Sequence, residues 1–239
     1  SIFAVIVVVP FAEEWPYRIV FSMKNLNNVF SDRSLIGVFT NSILVSVLTA
    51  LFGTLIAYCG ALISSRSELK FKGTIEKIAL ITNTIPGMVL GIAFLLVFTG
   101  TPIQNTFFII IICNIVHFFS TPYLMLKGTL EKMNSSWETT AMLMGDSWIK
   151  TIIRIVTPNS MPTILQVFEY YFVNAMVTVS AIIFLVGART SVITTKIKEL
   201  QHISKFNEIF VLSLLLLLTN IAVKIFIKLY INYKRRKLK

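Results

Sequence analysis

The stretch SSWETTAMLMGDSWIKTIIRIVTP, residues 135–158, is an amphipathic segment between two long apolar runs. Ser135 and Glu138 stand three residues apart, as in a capping box. In that motif the hydroxyl accepts from one free amide at a helix start and the carboxylate reaches back to another. A short helix is therefore predicted to begin at Ser135.

This first helix is predicted to have one apolar face and a glycine at its end. Trp137, Ala141 and Met144 fall at i, i+4 and i+7, so they share a face of a helix. Gly145 follows directly and is suited to the left-handed turn that ends many helices. The helix is therefore expected to stop at Gly145.

A second helix is predicted after this turn. Asp146 or Ser147 is positioned to cap it, and Pro158 is expected to end it, because proline removes a helical hydrogen bond. Between these limits apolar and polar residues alternate: Trp148, Ile149, Ile152, Ile153 and Val156 against Lys150, Thr151 and Arg154. The segment is predicted to form a compact helix-turn-helix between two spans.

Composition places the chain in the membrane. Of its 239 residues, 55% are hydrophobic and 14% charged, with a mean hydropathy of +0.78, which predicts an all-α membrane protein. The formal net charge of +11 does not indicate nucleic-acid binding, because much of the excess sits beside apolar spans and no pattern of interleaved aromatic and basic residues occurs.

The hydrophobic pattern predicts five full spans and the end of an earlier one. Residues 1–10 are apolar but shorter than the roughly 20 residues a span needs, so they are expected to end a first span that begins before this chain. Residues 11–35 are expected to form an external loop, and 232–239 a basic cytoplasmic tail. The full spans are predicted at 36–63, 78–98, 106–126, 160–186 and 208–231, which makes 36–231 the transmembrane domain.

Basic residues set the orientation. Arg66, Lys70 and Lys72 follow the first full span, and Lys127 and Lys132 precede the amphipathic segment. By the positive-inside rule both connections face the cytoplasm. The loop 127–160 is therefore predicted to be cytoplasmic.

Several polar residues within the spans are candidates for a solute pathway. Pro86 and Gly87 predict a kink in the second full span, and breaks of this kind occur in transporters where a helix lines a pathway. The pathway candidates are Asn83, Thr84, Asn174, Thr178 and Ser180. Helix packing explains each of them at least as well. His117 is interpreted as a hydrogen-bonded packing residue rather than a proton relay.

Motifs for catalysis are missing from the sequence. It contains no GxxxxGK[ST] phosphate loop, no HExxH, no GxSxG and no metal-ligand spacing. The chain is therefore not expected to be an enzyme, to use a cofactor or to hold a metal. Because the spans are nearly free of ionisable residues, energy for transport is expected to enter through the 135–158 segment; an ion-coupled secondary transporter is the alternative.

Residues 139–158 resemble the EAA loop of permease subunits of binding-protein-dependent ABC importers. That loop reads EAA, three residues, Gly, nine residues and I-x-L-P. The matching positions here are Thr139, Thr140, Ala141, Gly145, Ile155, Val156, Thr157 and Pro158. Glu138 lies one residue before the family's glutamate position. IPGMVLGIAFL (residues 85–95), NSILVS in the first full span and PNSMPTIL at the entry to the fourth are also similar to this family.

The resemblance implies a type I importer permease in a bacterial cytoplasmic membrane. Its expected partners are cytoplasmic ATPase subunits, a second permease subunit or fused half, and an extracytoplasmic solute-binding protein. The residues implied to couple to the ATPase are Ser135, Trp137, Glu138, Thr139, Thr140, Ala141, Met144, Gly145, Ile155 and Pro158. The sequence of residues 136–185 is most similar to permeases for iron(III) and 2-aminoethylphosphonate, which are often built as two fused halves. Polyamine and sulfate-type importers are near relatives.

Overall fold

A computed structural model describes residues 2–15, 17–67 and 72–237. Ser1, the connection 68–71 with Lys70, and the last two residues of the predicted tail lie outside the described residues. Most of the described chain is helical, and it contains a single two-stranded hairpin. The helices are α1 Ile2–Val8, α2 Lys24–Ser31, α3 Arg33–Arg66, α4 Lys72–Thr82, α5 Gly87–Phe98, α6 Phe107–His117, α7 Ser120–Glu131, α8 Ser136–Leu143, α9 Trp148–Thr151, α10 Thr157–Val177, α11 Ile193–His202 and α12 Phe206–Lys237.

The region predicted as an external loop, 11–35, is more structured than expected. Strands β1 Ala12–Glu14 and β2 Arg18–Phe21 pair antiparallel, and α2 follows them. The Asn25 side chain donates to the Ala12 carbonyl at 2.8 Å, and Asn25 is buried. This bond holds α2 against the hairpin, because a buried amide must find a partner inside the protein.

Helix α3 is the central helix of the bundle. It begins at Arg33, three residues before the predicted span, because the Asp32 carboxylate accepts from the Ser34 amide at 2.8 Å and caps the helix. Its buried positions are mostly small, including Ser46, Ala50, Gly53 and Ala57. Small residues let neighbouring helices approach closely in a membrane, and α10, α7 and α6 all pack on α3.

The predicted kink at Pro86 is confirmed, and it is a full break. Helix α4 ends at Thr82 and α5 begins at Gly87, with an angle of 110° between them. A second bend, of 54°, separates α6 from α7, inside the span predicted as continuous from 106 to 126. Pro122 lies in the first turn of α7, where it cannot donate a hydrogen bond to the Phe118 carbonyl four residues earlier and its ring crowds that carbonyl, which accounts for the bend. The prediction of a continuous span overlooked this proline.

The span predicted at 160–186 has different limits. Helix α10 ends at Val177 because Thr178 is extended, with ψ of 142°, and the following segment to residue 192 is folded in turns. The Thr178 carbonyl accepts from the Thr194 hydroxyl at 2.8 Å. Ala181, Ile182 and Leu185 are buried in this segment, which satisfies the rule that irregular backbone at membrane depth is enclosed by protein.

The remaining spans follow the hydrophobic pattern. Among the described residues, α3 and α12 are each long and apolar enough to cross a membrane, and the bent pairs α4–α5 and α6–α7 bring the number to four if each is one span. Helix α10 is 21 residues long and more polar. The predicted tail continues α12 as helix to Lys237, in keeping with the good helix propensity of lysine and arginine.

Candidate functional site

Helix α8 begins close to the predicted position but with another cap. The Ser135 side chain makes no capping hydrogen bond, so the predicted capping box with Glu138 is wrong. The side-chain Oδ1 atom of Asn134 accepts from the Ser136 amide at 2.9 Å instead. The Ser135 backbone is already helical, with φ of −72° and ψ of −13°, whereas a capping residue needs an extended backbone.

The predicted left-handed turn at Gly145 is confirmed. Gly145 has φ of +82°. Its amide donates to the Met142 carbonyl at 3.0 Å, and the Asp146 amide donates to the Ala141 carbonyl at 2.9 Å. These two bonds form a Schellman motif, which satisfies the carbonyls at the end of α8. The turn is therefore rigid rather than a loose loop.

Glu138 points into the protein and meets Arg66. The Arg66 Nη1 atom lies 3.1 Å from Glu138 Oε1, and the two side chains are only 5% and 12% exposed. Arg66 also donates through Nη2 to the carbonyls of Leu130 and Met133, the latter at 2.9 Å. One arginine at the end of α3 thus joins α8 to the end of α7.

The outer side of α8 and the turn after it carry exposed apolar side chains. Ala141 is buried, whereas Met144 is 80% exposed, so the predicted common face of Trp137, Ala141 and Met144 is wrong. Met144 lies beyond the last helical turn, where the chain reverses into Gly145. We call the exposed set the docking surface: Trp137, Met142, Leu143, Met144, Ile149 and Ile153.

The second helix of the segment continues into the membrane. Ser147 caps α9 as predicted, accepting from the Lys150 amide at 3.4 Å. A π-helical turn follows at Ile152–Val156, and α10 begins directly at Thr157. Pro158 does not end the helix. The π-helical turn at Ile152–Val156, directly before it, accommodates the hydrogen bond that proline cannot donate, so the chain continues as α10.

The π-helical turn fixes this joint to the core. Ile152 and Val156, four residues apart, pack in one cluster with Leu126, Leu130 and Tyr171. Ile149 and Ile153 point outward and are 64% and 63% exposed. Helix α9 is therefore joined to α10 through continuous helix, and α8 is joined to α3 and the end of α7 through Arg66.

The predicted pathway residues fall into two groups. The Thr84 hydroxyl donates to the Ile81 carbonyl and the Asn174 side-chain amide to the Tyr170 carbonyl. The Thr178 carbonyl accepts from the Thr194 hydroxyl. Asn83 and Ser180 instead lie near His117. A polar cavity of about 150 Å³, which we call the break cavity, is lined by Thr82, Asn83, Ile85, His117, Phe118, Ser120, Thr121 and Tyr170.

His117 was interpreted as a packing residue, and Tyr170, Ser120 and Thr121 were not singled out. Tyr170 faces Phe118, with ring centroids 6.4 Å apart. The signal that could have found these residues is Pro122, because a proline inside an apolar run predicts a break about four residues before it. Breaks in two neighbouring spans bring their ends together. Among the described residues no group of three or more His, Cys, Asp or Glu is placed to hold a metal.

These features define a helical membrane protein with an exposed apolar helix, α8, between two of its membrane segments. The chain belongs to the binding-protein-dependent transport system inner membrane components, whose family model matches residues 51–237. The resemblance based on residues 139–158 is thereby confirmed, as is the location in an inner membrane.

Two curated relatives carry names of one transport system. The chain is 37% identical over 152 residues to the ferric transport system permease protein FbpB of Actinobacillus pleuropneumoniae. The aligned residues cover 63% of this chain and 22% of that protein. It is 32% identical over 192 residues to the putative ferric transport system permease protein FbpB 1 of Haemophilus influenzae, covering 76% of this chain and 30% of that protein. The chain therefore spans less than a third of each relative.

Solved structures share the fold. A bacterial ABC transporter involved in the import of the acidic polysaccharide alginate superposes with a TM-score of 0.77 at 17% identity, covering 99% of this chain and 90% of that one. The MetNI methionine ABC transporter, in inward-facing conformations, gives a TM-score of 0.68 at 14% identity. The superposition covers 89% of this chain and 99% of that one. The predicted importer permease fold is confirmed.

Proposed function

We propose that this chain forms the translocation pathway of an ATP-driven importer of iron(III), and that α8 and the turn after it dock on a separate ATP-hydrolysing subunit. The docking surface carries this proposal. Leu143 and Met144 are 85% and 80% exposed on a helix whose inner side is held by a nearly buried ion pair. An apolar helix face held in this way is suited to a groove on a partner protein.

The residues implied by the resemblance take two roles in this proposal. Trp137, Thr139, Thr140 and Met144 are exposed and contact the ATPase, with Ser135 at the edge of that contact. Glu138, Ala141, Gly145, Ile155 and Pro158 act through the fold instead, by fixing the position of α8 and of the chain that continues into α10. Loop 127–160 is thus the coupling loop of a transmembrane domain at 36–231, and the tail 232–239 is cytoplasmic.

The substrate and the other partners follow from the relatives. Both curated relatives are named as ferric transport permeases, which favours iron(III) over phosphonate, polyamine or sulfate-type solutes. A second permease half and an extracytoplasmic solute-binding protein complete the assembly. ATP hydrolysis takes place in the partner subunit, and closure of the ATPases moves α8.

Copurification tests the docking. Leu143→Glu places a charge in the apolar contact and should abolish copurification with the ATPase while leaving the yield of membrane-inserted permease unchanged. Ser136→Glu adds the same charge at the exposed start of α8, where acidic residues are tolerated, and should retain the ATPase. Unchanged ATPase binding by Leu143→Glu would refute the proposed docking surface.

A further inference from the structure

Two half-length helices meet at their inner ends. Helix α5 starts at Gly87, and α6 ends at His117. At about 1.5 Å per residue each is about 16–18 Å long, roughly half of a hydrocarbon layer about 30 Å thick. The outer ends of both helices join through the short turn 99–106, so their inner ends lie near the middle of the membrane.

The inner ends are in direct contact with a third irregular segment. A Cβ atom added to Gly87 would lie 3.1 Å from His117 Nε2 and 2.6 Å from the Ser180 hydroxyl oxygen. Ser180 belongs to the non-helical segment after α10. The breaks of three successive membrane segments therefore meet around one imidazole. In transporters, substrate sites near the midplane are built from interrupted helices of this kind.

Polar groups at this place lack partners. Asn114 is fully buried, and in the described part of the chain neither its side-chain oxygen nor its nitrogen forms a hydrogen bond. The Nδ1 atom of His117, one turn further along α6, is also buried and unpartnered. Unsatisfied buried polar groups destabilise a fold, so each of them calls for an explanation. Of these two residues, His117 lines the break cavity.

The break cavity lies between the surface and His117. Asn83 is exposed, whereas Ser120 is buried, so its lining extends from the outside of the chain into the packed interior. The polar residues that line it are His117, Tyr170, Asn83, Thr82, Ser120 and Thr121. Its described lining contains no carboxylate.

We propose that the break cavity is a transient site for the transported cation, with His117 and Tyr170 as its strongest donors. The proposal rests on the proposed function, and the cation is iron(III). Imidazole suits iron, and oxygen donors suit hard cations. A site without carboxylates holds such a cation weakly, which a pathway requires, since an ion must leave as well as enter.

Transport by the complete importer tests this site. Proteoliposomes contain the permease assembly with its ATPase, and the binding protein is loaded with radioactive iron(III). His117→Leu should lower iron uptake about tenfold, the loss expected for one contact to a charged species, while binding-protein-stimulated ATP hydrolysis remains. His117→Gln keeps a polar donor and should restore part of the uptake. Tyr170→Phe keeps the ring packing and should lower uptake severalfold.

The chain offers a matched control and distinct failures. His202 is the second of two histidines in the sequence and is exposed on α11; His202→Leu should leave uptake unchanged. Normal uptake by both His117→Leu and Tyr170→Phe overturns the site but leaves the proposed function. Loss of stimulated ATP hydrolysis that His117→Gln does not restore also overturns it, by showing a structural role. Wild-type complexes that hydrolyse ATP without moving iron refute the substrate, and the site with it.

Discussion

The ion pair between Arg66 and Glu138 gives a prediction whose magnitude follows from the structure. Two unit charges about 4 Å apart attract by about 4 kcal/mol at an effective dielectric of about 20. Desolvation offsets part of this attraction, and contacting pairs show coupling energies of about 0.5–3 kcal/mol. Because the side chains are 5% and 12% exposed, screening by water is weak. We expect a coupling energy of about 1–3 kcal/mol.

Glu138→Gln removes the charge but keeps the shape of the side chain. Arg66→Met removes the ion pair and also the hydrogen bonds to the carbonyls of Leu130 and Met133. Glu138→Gln should therefore lower the free energy of unfolding by about 1–3 kcal/mol, and Arg66→Met by about 3–5 kcal/mol, the range for breaking a buried pair. The double variant should lose less than the sum, because the second substitution removes a charge that is already unpaired.

Equilibrium unfolding in mixed micelles of a mild and a denaturing detergent measures these differences. ATPase copurification, compared at equal fractions of folded permease, provides the second readout. We expect Glu138→Gln to retain the ATPase, since its carboxylate faces Arg66 rather than the partner. Additive losses in the double variant would refute the coupling. Unchanged stability with lost ATPase binding would show that Glu138 contacts the partner directly.

Two glycine pairs test the backbone at the docking turn and at the break. Gly145→Ala should destabilise the protein by about 1–2 kcal/mol, because φ of +82° is unfavourable for residues with a Cβ. Gly128→Ala, in the interior of α7 with nothing within 4 Å, should stabilise the protein by about 0.5–1 kcal/mol. Shifts of the two unfolding midpoints in the same direction would contradict this. Gly91→Ala should destabilise by about 1–3 kcal/mol, because the added Cβ would lie 2.4 Å from the Ala181 carbonyl oxygen. Gly37→Ala in α3, with open space around it, serves as its control, and a Gly91→Ala protein as stable as Gly37→Ala would show that the 180–181 segment yields freely.

Local features of the docking segment were predictable because their causes are local. Gly145 needs only a helix end and its lack of a Cβ to form the left-handed turn, and Ser147 needs only the next turn of backbone to cap α9. The cap at the start of α8 was predicted wrongly because two neighbouring residues, Asn134 and Ser135, both carry suitable oxygens. Backbone geometry selects between them, and composition does not reveal it.

The sequence by itself determined an all-α membrane protein, its bend at Pro86 and a short helix between two spans that ends in a left-handed turn at Gly145. Hydropathy, proline chemistry and the conformational freedom of glycine act over a few residues, so a linear pattern carries them. Only the tertiary structure decided that Glu138 faces Arg66 from α3, that Pro158 continues the helix, and that the breaks near Asn83, His117 and Ser180 meet. The contacts between distant segments depend on packing, where burial rather than local propensity fixes the position of each side chain.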